Sequence, residues 1–226
     1  MNTKDFMHIK KTMSSILSLY KKCIQSDSNF FLVLLRGVFY KLFFNKTILV
    51  HQKVVLRGIK NIHAKNKIEI GISYVGFMNK ADKTYLNIKG QLQIQGKYSI
   101  GRGCRIDIGK DALVTIGNGG YINANTNIII MHRLAIGDNC AISWDCQFLD
   151  DDFHIITYEG KKSIDSSIII GNHVWIGCGV KIYKGTVIPN GCVIASNSIV
   201  RGKFDIENSI LAGNPAIVIK KSIEWK

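Results

Sequence analysis

The stretch IIIGNHVWIGCGVKIYKGTVIPNGCVIASNSIV, residues 168–200, carries an aliphatic side chain at every sixth position. Ile170, Ile176, Ile182, Ile188, Ile194 and Val200 keep this register without a slip. A helix of 3.6 residues per turn does not produce such a beat, and neither does a lone strand of period 2. A coil of short flat sides does. Each side points one aliphatic inward and ends at a sharp corner; three sides close a triangular turn, and successive turns stack their inward residues into one apolar column. The beat recurs at Ile88, Ile94, Ile100 and Ile106, again at Ile116, Ile122, Ile128 and Leu134, and at Ile136, Ile142 and Phe148, while the last run continues to Ile206. Glycine often follows the aliphatic, as in Ile100-Gly101 and Ile176-Gly177, where a corner needs a residue tolerant of unusual backbone angles. The expected fold is an all-β solenoid over residues 50–215, followed by a short C-terminal tail, 216–226.

Two segments break the pattern. Residues 149–167, LDDDFHIITYEGKKSIDSS, interrupt the coil with polar and charged side chains, and a loop on a rigid scaffold is a natural place for chemistry. Residues 1–49 lack the beat. Within them NFFLVLLRGVFYKLFF, residues 29–44, is strongly apolar but interrupted by Arg36 and Lys41, too short a run for a membrane span. It reads first as a helix covering the open end of the coil, and second as a basic-apolar helix making peripheral membrane contact.

Charge supports that division. The net charge is +14, and residues 1–66 hold 12 Lys/Arg against 2 Asp/Glu, so most of the excess is N-terminal. An anionic neighbour such as a membrane surface or an acidic glycan fits this distribution. Nucleic acid does not, because no interleaved aromatic-basic pattern accompanies it. The six cysteines form no CxxC pair and are expected to be reduced, buried residues of a cytoplasmic protein. The first twenty residues offer no signal peptide.

The repeat together with DDDFH, HVWIG and AGNPA resembles the left-handed β-helix acyltransferases with hexapeptide repeats, over roughly residues 50–221. It is most similar to the branch that O-acetylates bacterial surface polysaccharides. The resemblance implies a left-handed parallel β-helix, a homotrimer, acetyl-CoA as co-substrate without a metal, and a site in the cleft between neighbouring subunits. It places His154 as the catalytic base, in the loop, where an imidazole of ordinary pKa about 6.5 suits proton removal from a sugar hydroxyl. Asp152 falls on the acidic position before the histidine; Asp150, Asp151, Asp145 and Asn123 remain alternatives for orienting the ring. Trp175 matches a tryptophan beside the transfer site. Cys178, Gly179 and Ser196 are expected along the pantetheine arm, with Arg201 and Lys220 at the CoA phosphates. The family commonly has a basic residue two positions after the proline of the AGNPA motif; here that position is Ile217. His132, Arg133, His173 and Asn123 are candidate acceptor contacts.

Other functions on the same scaffold fit these residues less well. A γ-carbonic-anhydrase-type hydratase needs three histidines around a metal ion, and the six here show no such spacing. A small-molecule acceptor (serine, a galactoside or an antibiotic) and a non-catalytic trimeric carbohydrate-binding module are the remaining alternatives.

Overall fold

The computed structural model describes residues 3–73, 76, 78–79, 81–155, 157–160 and 165–226, with only the backbone for 3–9, 11 and 12. Positions 156 and 161–164 of the expected loop therefore lie outside the described residues. Two helices, α1 (Thr3–Gln25) and α2 (Phe30–Phe44), precede 22 short strands among the described residues. Asn29 caps α2 by accepting the Leu32 N–H at 3.1 Å, and Asn45, in the left-handed region at φ +52°, ends it.

The strands form three sheets of nine, seven and six, in which every third strand of the sequence is a neighbour until the last two strands of the nine-stranded sheet. All pairings are parallel except the last, where Ile210–Gly213 pairs antiparallel with Ala216–Lys220. The chain thus ends in a hairpin on the nine-stranded face, and 216–220 is a strand where sequence reading expected only a tail. Each sheet is one side of a prism. The beat is the cause: Ile88, Ile94, Ile100 and Ile106 lie on successive sides and all are buried. In the last complete turn Ile182 pairs with Val200, eighteen residues on, as three six-residue sides require. Ile206 is only half-buried; the column is continued instead by Leu211, paired with Ile194 and fully buried.

Corners stack as well as sides. Gly103, Asn125, Asp145, Gly179 and Asn197 occupy one edge of the prism in successive turns, all at positive φ. A Cβ on Gly179 would lie 2.2 Å from the Asn197 Oδ1, so this glycine serves both the turn and the close approach of the next coil. All six cysteines are free; Cys104, Cys140, Cys146 and Cys192 are buried in the column, and Cys23 is buried in a separate small cluster with Val33 and Ile72.

The open first coil is covered by α2, whose Tyr40 and Phe44 join the apolar column. Arg102, 1% exposed, ties the helical hairpin to the coil. Its guanidinium donates to the Gly71 carbonyl at 3.0 Å, to the Asn79 carbonyl at 3.2 Å, and to the Ser26 carbonyl between the helices.

Candidate active site

The loop 149–167 leaves the prism between Gln147–Leu149 on the seven-stranded face and Ile168–Ile170 on the six-stranded face. His132 lies at the same corner one turn earlier and Lys184 one turn later. This corner gathers the three consecutive acids and gives each a different task. Asp150 occupies the inward position held by Ile108 and Ile130 in preceding turns and is fully buried. Its carboxylate accepts the N–H groups of Met131, His132 and Arg133 at 2.7, 2.8 and 2.9 Å, fastening the loop base to the coil before it. Asp151 accepts from the Phe153 N–H at 2.5 Å and pairs with the His132 Nε2 at 2.8 Å. The Phe153 hydrogen bond, then His132, hold its carboxyl below the usual range. Asp152 pairs with Lys184 at 2.5 Å.

His154 is exposed, and its ring has no hydrogen-bond partner among the described residues. Asp152, expected to orient it, faces Lys184 instead, and Asp150 and Asp151 are committed elsewhere. The histidine the acids do engage is His132. Beside Asp152 a cavity of about 300 Å³ is lined by Leu149, Tyr183, Lys184 and Arg201. The Arg201 guanidinium stacks over the Tyr183 ring at 4.7 Å. Arg133 is exposed at the start of the strand Arg133–Ile136.

The other candidates sit elsewhere on the prism. Trp175 points outward from the nine-stranded face, 42% exposed, and its indole N–H donates to the Ser143 Oγ at 3.3 Å. Cys178 and Ser196 meet at the next edge, Sγ to Oγ 3.3 Å. On that same edge Asn123 is held by its backbone, the N–H on the Ile142 carbonyl at 2.9 Å and the carbonyl receiving the Cys104 thiol. His173, at φ +52°, takes a corner position used by Gly119, Asn139, Gly191 and Asn208 in other turns. Lys220 is exposed on the final strand. The loop group and the Trp175 group therefore occupy different sides of one chain.

Three participants were not singled out in the sequence: Lys184, Ser143 and Trp225. Asp150 left a legible signal, a carboxylate at an inward position of the alternation. Trp225 left none, because its partners lie some fifty residues away. Tyr121 belongs with Trp175: the register runs Tyr121, Ala141, Trp175 across the nine-stranded face, so two exposed aromatics flank a small residue. Among the described residues no three His, Cys, Asp or Glu side chains converge as a metal site.

No family model matches the chain. It is 36% identical over 222 residues to an uncharacterized 24.8 kDa protein in the cps region of Klebsiella pneumoniae, covering 97% of this chain and 100% of that one. It is 27% identical over 148 residues to the putative lipopolysaccharide biosynthesis O-acetyl transferase WbbJ of Escherichia coli K12, 61% of this chain and 75% of the relative. The chain belongs to the hexapeptide-repeat acetyltransferase family. The fold agrees: a point mutant of AntD, an N-acyltransferase from Bacillus cereus, superposes with a TM-score of 0.52 at 19% identity, over 81% of this acetyltransferase and 87% of that chain. The coil is accordingly the left-handed β-helix of that family.

Proposed function

We propose that the acetyltransferase moves an acetyl group from acetyl-CoA to a hydroxyl of a bacterial surface polysaccharide or its precursor, with His154 as general base. The observation that carries this reading is the setting of His154, an exposed imidazole without a partner among the described residues, on a long loop that leaves a regular coil. Its ring takes the hydroxyl proton as the oxygen attacks the thioester carbonyl. The tetrahedral intermediate collapses with loss of the CoA thiolate, which receives the same proton. Trp175 supplies an apolar wall and an indole donor near the transfer site. Because the loop and Trp175 lie on different sides of one chain, the reading includes a homotrimer in which one subunit's loop faces its neighbour's nine-stranded face. Arg201 and Lys220 meet the CoA phosphates, and Cys178, Gly179 and Ser196 border the pantetheine arm. His132, Arg133, His173 and Asn123 remain candidate acceptor contacts.

The acceptor class rests on relatives, including the lipopolysaccharide protein above. The cytoplasm, where acetyl-CoA is made, is the proposed site of action; among the described residues no helix is long and apolar enough to cross a membrane. The test follows thiol release from acetyl-CoA against acidic and neutral bacterial glycans, for the native protein and His154→Ala. Thiol release that requires a glycan and falls on the order of 10²-fold in the variant supports the reading. Undiminished turnover in the variant overturns the role of His154.

A further inference from the structure

The helical hairpin presents an apolar face that the coil does not use. On α2, Phe31, Leu35, Val38, Phe39, Leu42 and Phe43 are all exposed, 72% for Phe31 and 74% for Leu42. At 100° per residue they occupy an arc of about 140°. On α1, Met13, Leu17, Tyr20 and Ile24 are exposed in the same way. This face cannot turn inward. Val33 and Tyr40 are buried on the opposite side of α2, and Arg36 between them donates to the His51 carbonyl at 3.1 Å and the Val54 carbonyl at 3.0 Å.

Charge identifies the occupant. α2 contains no acidic residue, and its apolar arc is bordered by Lys41; Lys10 and Lys21 border the apolar arc of α1. With 12 Lys/Arg against 2 Asp/Glu in residues 1–66, a second copy brought face to face would be repelled, whereas an anionic surface is attracted. A helix of 15 residues is about 22 Å long, short of the ~30 Å hydrocarbon core, so it lies in the interface rather than across it. We infer that the outward face of the α1–α2 hairpin docks this protein on an anionic phospholipid bilayer, with the aromatic and leucine side chains in the headgroup boundary and the lysines among the phosphates.

The test is flotation of the full chain with phosphatidylcholine vesicles and with 7:3 phosphatidylcholine:phosphatidylglycerol vesicles, at low and high salt. It needs neither CoA nor acceptor, so its outcome is independent of the acetyl-transfer reading. The native protein is expected to float with the anionic vesicles and to be released several-fold by salt. The double variant Leu35→Glu, Leu42→Glu is expected to lose partitioning on the order of tenfold or more while keeping its far-UV spectrum. A second pair, Lys21→Glu with Lys41→Glu, leaves the apolar face intact and should weaken binding to anionic vesicles only. Failure of the native protein to float with anionic vesicles overturns the inference, as does full binding by both double variants. A drop in assembly size in the leucine variant, without any native flotation, would assign the face to contacts between copies and overturn it equally.

Discussion

The imidazole of His173 lies flat on the indole of Trp225, ring centroids 4.0 Å apart and planes 3° from parallel. The backbone completes the clasp. Trp225 Nε1 donates to the His173 carbonyl, and the His173 Nε2 meets the Trp225 carbonyl, both at 3.1 Å. The C-terminus is thereby folded back onto the coil, with Trp225 6.1 Å from the Trp175 ring.

Trp225→Ala should therefore free the tail. The stack and its hydrogen bonds together are worth about 1–2 kcal/mol, a fall in Tm of roughly 3–6 °C for a chain of this size. Trp225→Phe keeps the stack and should lose less. Calorimetry on the two variants checks the order; equal losses would mean that stacking contributes little.

Asp150 is a carboxylate in a position where the two preceding turns place isoleucine. Asp150→Ala would leave three N–H groups at the loop base without their acceptor, at a cost of about 3 kcal/mol or more. Asp150→Asn retains one acceptor oxygen and should cost less. Denaturant unfolding measures both, and an unaffected midpoint in the alanine variant would exclude the anchoring role.

His51 is fully buried, and its Nε2 has no hydrogen-bond partner among the described residues. Burial, then the charge of Arg102, push its pKa down to about 4, while Asp27 partly opposes them and Lys53 adds to them. The unfolded chain takes up this proton near 6.5 and the folded one only near 4. Stability from this group is thus full above about pH 6.5 and declines as pH falls toward 4, by about 3 kcal/mol across that window. His51→Leu should flatten the slope between those limits despite its own cost in packing. Unfolding free energies at half-unit pH steps provide the comparison; an unchanged slope in the variant would place the titration elsewhere.

Tyr121 and Trp175 sit two strand spacings apart, roughly 10 Å, a span that suits two aromatic platforms beneath an extended glycan. If the proposed acceptor runs along this face, Tyr121→Ala should raise its KM several-fold and leave kcat nearly unchanged, while Tyr121→Phe should resemble the native enzyme. Steady-state kinetics with a polymeric and a monosaccharide acceptor test this, since only the polymer reaches both rings. An unchanged KM for the polymer would remove Tyr121 from the acceptor path.

Much of the fold was legible because its cause is local. Ile170 through Val200 announce both the length of each side and which side chain faces in, and burying those residues is what closes the coil. The loop at 149–167 was visible as a lapse in that beat, and His154 was conspicuous within it. The partners of the acids were not. Asp152 reaches Lys184 across 32 positions and Asp151 reaches His132 across 19. Those separations depend on how many residues each corner inserts: the turn from Ile106 to Ile128 takes 22 and the next, to Phe148, takes 20. Likewise, Arg102 gave no sign in sequence that it would be buried under the helical hairpin.

By itself, then, the sequence determined the repeating side, the apolar column and the place where the chain departs from them, because each follows from which side chains escape water within a few residues. Only the tertiary structure decided which corner residues meet, that Asp150 anchors while Asp152 pairs with a lysine, that Trp225 closes on His173, and which arc of the hairpin stays bare. Those outcomes depend on the stacking of one turn upon the next, and a contact between turns is set by the length of everything in between.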